Sequence, residues 1–106
     1  MQDYDIKKGH SKTLENGGLE RIMKDMFGTV KRDGRFLVAS YGALGELRVA
    51  LKSKSVLGVE TKMRTDVDNT TASETVRLYN DFLLSATGFT SRERKKRLND
   101  KLKKGL

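Results

Sequence analysis

The chain has 106 residues, of which 36% are hydrophobic and 34% are charged, a composition that supports one small core and leaves no room for a second. The absence of cysteine and the presence of a single histidine exclude disulfides, thiolate metal sites and multi-histidine metal cages. No stretch approaches the roughly 18 apolar residues of a membrane span. The start of the chain is polar and acidic, unlike a signal peptide, so we expect a cytoplasmic protein.

The positive charge is concentrated at the C-terminal end. Residues 91–106 contain eight basic and two acidic residues, and they supply +6 of the net charge of +8. This asymmetry divides the chain into a single α+β domain, residues 1–90, and an appended basic helix, residues 91–106.

The first elements follow from hydrophobic periodicity. Tyr4 and Ile6 alternate with charged residues, which predicts a short strand with one buried face. The following helix is predicted by apolar residues at i, i+3, i+4 and i+7, namely Leu19, Ile22, Met23 and Met26. We expect it to end at Gly28. Asp33-Gly34 lies between two β-prone runs and predicts a hairpin turn.

The next strands can be aligned by requiring both faces to agree. A three-residue turn at residues 53–55 places Val49 opposite Val59 and Arg48 opposite Glu60, so apolar residues meet on one face and opposite charges on the other. A two- or four-residue turn at residues 42–45 adds the preceding strand. The predicted core face then contains Phe36, Val38, Leu47, Val49, Leu51, Leu57, Val59 and Met63.

Two helices complete the chain. Thr71 and Glu74 have capping-box spacing, as do Thr90 and Glu93. The buried stripe of the first of these helices is predicted to contain Val76, Tyr79, Phe82, Leu83 and Ala86. Gly88 is expected to end that helix. The element order β-α-β-β-β-β-α-α predicts an α+β two-layer sandwich, with a five-stranded antiparallel sheet of order 1-5-4-3-2 and the helices on one face.

No motif favours catalysis, a metal or a cofactor. His10 could act as a general base, but it has no partners in the sequence and is interpreted as a solvated loop residue. The acidic run from Asp66 resembles the start of a calcium loop, yet Thr71 and Arg77 occupy the positions that require glycine and glutamate. We therefore predict a protein that is not an enzyme and binds neither metal nor cofactor.

The basic helix is the first candidate binding site. Four of its residues share a stripe at i, i+3, i+7 and i+10, and they are predicted to contact nucleic-acid phosphates: Arg94, Arg97, Lys101 and Lys104. Four phosphate contacts would give a slope of about −3.6 for log affinity against log salt. Lys96 and Lys103 lie away from this stripe. The helix could instead be solvated and docked through Leu98 and Leu102, or could contact a membrane surface or a protein.

A second candidate surface lies on the open face of the sheet. Leu37, Ala39 and Tyr41 alternate with Phe36 and Val38, so they are expected on the face opposite the core, near Ala50 and Gly58 and with Arg48 at the rim. Leu37, Tyr41 and Arg48 are the candidate interface residues. The patch could bind a partner or a second copy, or the last helix could cover it.

Two stretches resemble a known family. They are residues 38–44, Val-Ala-Ser-Tyr-Gly-Ala-Leu, and residues 82–90, Phe-Leu-Leu-Ser-Ala-Thr-Gly-Phe-Thr, which are followed closely by Arg92-Glu93-Arg94. They resemble a small family of uncharacterised archaeal proteins, which implies an archaeal source and no activity.

The predicted strand order is also similar to one half of the TATA-binding protein, an analogy of fold alone. That analogy implies phenylalanines on the open face, and the expected core position of Phe36 argues against minor-groove binding of that type. We therefore expect a non-enzymatic module that binds nucleic-acid backbone through its basic helix, or alternatively a protein-interaction or self-associating module that uses the open sheet face.

Overall fold

The computed structural model describes the backbone of residues 2–104 and the side chains of residues 2–100 and 102. The elements in chain order are β1 (Gln2–Asp5), a 3-10 helix (His10–Thr13), α1 (Gly18–Phe27), β2 (Lys31–Asp33), β3 (Phe36–Tyr41), β4 (Leu44–Ser53), β5 (Val56–Met63), α2 (Asn69–Thr87) and α3 (Ser91–Lys104). All strand pairs are antiparallel and the order is β1-β5-β4-β3-β2. The predicted fold class, element order and sheet topology are confirmed.

The core lies between one face of the sheet and the helices α1 and α2. Leu47, Val49 and Leu57 face the helices and are fully buried. The helices contribute Met23 and Phe82, which are also fully buried. Because the helices α1 and α2 cover only this face, the other face of the sheet carries most of the charged side chains of the strands.

The pairing of β4 with β5 follows the predicted register. Val49 lies opposite Val59, and Arg48 lies opposite Glu60. This register satisfies both faces at once, since a slip by one residue would bring charges into the core.

The predicted facing of β3 is wrong. Leu37 lies opposite Val49, so Leu37 and Ala39 belong to the core face, and Phe36 and Val38 to the open face. The cause is a β-bulge in β4, where both neighbouring strands shift register around Gly45. The extra residue in β4 reverses which side chains of β3 face the core.

Two further expectations are corrected. Val76 and Met63 are about half exposed, whereas both were expected in the core. Thr75 is buried instead of Val76, because its hydroxyl accepts a 2.9 Å hydrogen bond from the backbone amide of Ala43 in the β3–β4 turn. This hydrogen bond at the turn therefore turns the Thr75 side of α2, and not the Val76 side, toward the core.

The turns and helix ends agree with those predicted from the sequence, apart from the bounds of one hairpin loop and the cap of α2. The hairpin at Asp33-Gly34 is confirmed, although Asp33 still pairs with Phe36 and the loop residues are Gly34 and Arg35. Gly28 and Gly88 end their helices as expected. The cap of α2 is Asp68 rather than Thr71, since its carboxylate accepts a 2.7 Å hydrogen bond from the Thr71 amide.

We predict that Val49→Ala lowers the free energy of unfolding by about 1–3 kcal/mol, because it leaves a cavity at the centre of the core. Val76→Ala removes the same atoms from a half-exposed site on α2 and should change stability far less. Urea denaturation of both variants tests this pair. Equal losses would contradict the assignment of the core face.

We also predict a pH-dependent role for Asp68. Hydrogen bonds from the side chain and the backbone amide of Thr71 hold the pKa of this carboxyl below its ordinary value of 3.8. The stabilisation is therefore fully present above pH 3.8 and is lost as the pH falls through the lower pKa of the folded state. Thermal unfolding of Asp68→Ala should show a lower melting temperature than wild type at neutral pH, and the difference should shrink in acid. Thr70→Ala, an exposed neighbour, is the control, and a loss independent of pH would contradict the cap.

Candidate nucleic-acid interface and the cleft beneath it

The basic helix α3 begins with two reciprocal hydrogen bonds. The Thr90 amide donates to the Glu93 carboxylate at 3.0 Å, and the Glu93 amide donates to the Thr90 hydroxyl at 3.2 Å. The hydrogen bond from the Thr90 amide to the carboxylate, with a smaller contribution from the Thr90 side chain, lowers the pKa of Glu93. The predicted capping box is confirmed, and it starts α3 three residues after Gly88, where the backbone is left-handed.

Arg94 points from α3 into the domain. Its Nη1 donates to the Phe89 carbonyl oxygen at 2.7 Å, and its Nη2 donates to Asn80 Oδ1 on α2 at 3.2 Å. The guanidinium therefore links the turn that precedes α3 to the side of α2. Among the described residues, no carboxylate forms an ion pair with it.

Arg97 fastens α3 to the edge strand of the sheet. Its Nε donates to Asp5 Oδ2 at 2.9 Å, and its guanidinium lies 4.6 Å from the centre of the Phe89 ring. Asp5 is 17% exposed, so this ion pair is partly shielded from water. Two residues of the predicted phosphate-contact stripe, Arg94 and Arg97, thus turn toward the domain. The side chains of Lys101 and Lys104 lie outside the described residues.

The rest of the α3 surface presents a different set of cations, with Arg92 and Lys96 on the side opposite Arg94 and Lys95 on the flank between the two sides. Arg92, Lys95 and Lys96 are exposed, and within the described part of the chain they form no ion pair or side-chain hydrogen bond. Leu98 and Leu102 are 47% and 62% exposed, so the arginines hold α3 in place more than the leucines do.

Beneath α3 lies a cleft of about 280 Å³ between β1, α2 and α3. We call it the α3 cleft, and its walls include Tyr4, Tyr79, Phe89, Arg94 and Leu98. The hydroxyl oxygens of Tyr4 and Tyr79 are 3.5 Å apart. Burial raises the pKa of Tyr79, and its hydrogen bond with Tyr4 adds to the rise, so its phenol stays protonated at neutral pH.

The open face of the sheet is a network of paired charges. Arg48 forms ion pairs with Asp33 at 2.9 Å and with Glu46 at 3.2 Å, and its guanidinium lies 4.8 Å from the Phe36 ring centre. Of the candidate interface residues, Arg48 alone lies on this face. Leu37 is buried in the core and 9% exposed, so the apolar patch expected from the sequence is absent from this face of the described chain.

Tyr41, the third candidate, packs at the edge of the helical layer. It is 40% exposed, and its ring centre lies 6.3 Å from that of Phe27 on α1. The expected core position of Phe36 is likewise wrong, because its ring lies on the open face under Arg48.

His10 is not the solvated residue that the sequence suggested. Its Nε2 lies 2.7 Å from the Ser85 carbonyl oxygen, so it joins the 3-10 helix to α2. Within the described residues, no three potential metal ligands come together. No helix in that part of the chain is long and apolar enough to cross a membrane.

The sequence reasoning missed the residues of the α3 cleft. Tyr79 was assigned only to a buried stripe, and Asn80 to no site. One signal pointed to the inward side of α3: Leu98 follows Arg94 by four residues, so the apolar residue and the arginine share a face.

The comparisons with known proteins concern the whole fold. A solved solution structure, that of hypothetical protein TA0095 from the archaeon Thermoplasma acidophilum, is 27% identical and superposes with a TM-score of 0.61, covering 92% of this chain and 97% of that one. No curated protein matches the chain. Residues 1–100 match the family described as "Domain of unknown function (DUF5611)". The chain therefore belongs to this family, in agreement with the resemblance to uncharacterised archaeal proteins noted in the sequence.

Proposed function

We propose that the protein is a non-enzymatic module that binds the phosphate backbone of nucleic acid through the outward side of α3. The observation that carries this proposal is the group of three exposed and unpaired cations, Arg92, Lys95 and Lys96, on a helix whose other side is anchored to the domain. We call these three residues the outward cations.

Anchoring supports binding in two ways. Arg94 contacts Asn80 and Arg97 pairs with Asp5. The outward cations therefore project from a helix whose orientation is already fixed. A fixed array loses less conformational entropy on binding than a flexible basic tail would.

Lys7 extends the same surface, since it lies against Gly88 at the turn before α3 and its charge contributes to the lowered pKa of Glu93.

The chemistry of these side chains favours backbone contacts over base recognition. Lysine and arginine on an exposed helix neutralise phosphates and release counterions, which gives affinity that depends on salt and little on sequence. The open sheet face offers less for a polyanion, because Arg48, Lys52 and Lys62 each form an ion pair with an acidic side chain.

We predict that replacing the outward cations together (Arg92→Gln, Lys95→Gln, Lys96→Gln) weakens binding to a short DNA duplex. If each cation releases about one counterion, the slope of log affinity against log salt becomes shallower by about 2.7. Fluorescence anisotropy at several salt concentrations measures this slope. A duplex of shuffled sequence should bind equally well.

The matched control loses the same charge from other helices: Arg21→Gln, Lys24→Gln and Arg77→Gln, all at exposed positions of α1 and α2. This variant should keep most of the salt slope. An equal loss of salt slope in the two variants would mean that binding depends on net charge and not on the position of the cations on α3. Unchanged binding in the α3 variant, or no binding by the wild type, would contradict the proposal.

A further inference from the structure

The α3 cleft combines a positive charge, hydroxyl donors and an apolar wall. Arg94 supplies the charge, and the described part of the chain gives it only neutral oxygen partners, Phe89 O and Asn80 Oδ1. A guanidinium has five N–H donors, of which these bonds use two. Arg94 is partly buried, and this burial lowers the pKa of its guanidinium, although the group remains ionised at neutral pH.

Of the remaining charged groups on the wall of the cleft, Asp3, Asp5 and Arg97 are paired, whereas Lys95 forms no ion pair within the described part of the chain. Asp5 pairs with Arg97 at 2.9 Å, and Asp3 pairs with Lys52 at 2.8 Å. The uncompensated groups of the cleft, Arg94 and Lys95, are therefore both cations. An electrostatic match requires an anionic ligand rather than a metal ion or an amine.

The tyrosine pair adds a directed donor. When two hydroxyls share one hydrogen bond, the second proton of the pair remains available to a ligand. Tyr4 and Tyr79 are such a pair at 3.5 Å. Since Tyr79 resists ionisation, the pair continues to offer that proton throughout the neutral range.

The rest of the wall is apolar. Leu83, Phe89 and Leu98 line the cleft, and its volume of about 280 Å³ is near the lower end for ligand sites in proteins. We infer that the α3 cleft is a binding site for a small carboxylic acid with an apolar body, whose carboxylate contacts Arg94 and the Tyr4–Tyr79 pair while its body packs against Leu83, Phe89 and Leu98.

This site shares Lys95 with the outward cations but does not depend on the proposed nucleic-acid binding. The groups that define the cleft, Arg94 and the tyrosine pair, lie on the inward side of α3, whereas Arg92 and Lys96 lie on the opposite side. Each can therefore fail without the other.

Sodium benzoate is a suitable probe, because it joins a carboxylate to a small ring. We predict that titration at constant ionic strength shifts the amide resonances of Asn80, Arg94 and Leu98 saturably, with a dissociation constant of about 1 mM or lower. Benzamide has the same shape without the charge and should bind at least about tenfold more weakly. Acetate keeps the charge but lacks the ring, and it should also be at least about tenfold weaker.

Two variants locate the site. Arg94→Gln removes the charge, and Tyr79→Phe removes one hydroxyl while keeping the ring, so each should weaken benzoate binding by about fivefold or more. Lys24→Gln, on the exposed side of α1, should have no effect. If Arg94→Gln undocks α3, as a collapse of the α3 amide resonances would show, Tyr79→Phe decides the question.

Several results would overturn the inference. One is equal binding of benzoate and benzamide, and another is equal binding of benzoate and acetate. Shifts confined to Arg92 and Lys96 would place the anion on the outside of α3. Binding that survives Tyr79→Phe unchanged, or no saturable shift at all, would leave the cleft without this ligand class.

Discussion

Both proposed binding surfaces depend on the contacts of the two inward arginines of α3, Arg94 and Arg97. Arg97 ties the helix to Asp5 at the sheet edge, and Arg94 ties it to Asn80 and to the turn at Phe89. The ion pair of Arg97 contributes little by itself, but it acts together with the stacking of Arg97 on Phe89 and with the two hydrogen bonds of Arg94. Their combined effect is to fix which side of a strongly basic helix faces water. The same contacts create the α3 cleft, since α3 forms one of its walls.

The predictability of the fold depended on how many independent constraints each strand carried. The β4–β5 register followed from the sequence because apolar pairs on one face and opposite charges on the other select the same alignment, as at Val49–Val59 and Arg48–Glu60. The facing of β3 did not follow, because residues 36–39 are apolar on both faces and give no alternation to read. The bulge at Gly45 determines which residues of β3 face the core. It could not be predicted, because the extra residue of a bulge leaves no distinct pattern in the sequence.

The sequence predicted which basic residues share a side of α3, but it did not predict which side of the helix faces the domain. Helical spacing correctly placed Arg94 and Arg97 on one side of α3. Both sides of this helix are basic, however, so charge alone could not show which side meets the domain. The partners that decide it, Asp5 and Asn80, are 92 and 14 residues away from their arginines along the chain. The α3 cleft could not be predicted for the same reason, since Tyr4 and Tyr79 are 75 residues apart.

The most direct test of this account is amide hydrogen exchange of α3 in the wild type and in Asp5→Asn. The substitution removes the charge that Arg97 contacts but leaves the rest of the sheet edge in place. If the inward arginines hold the helix, exchange in residues 94–100 should accelerate by about two- to fivefold while β4 and β5 keep their protection. Identical exchange of α3 in the two proteins would show that the helix is held by other means, and would contradict the assignment of inward and outward cations.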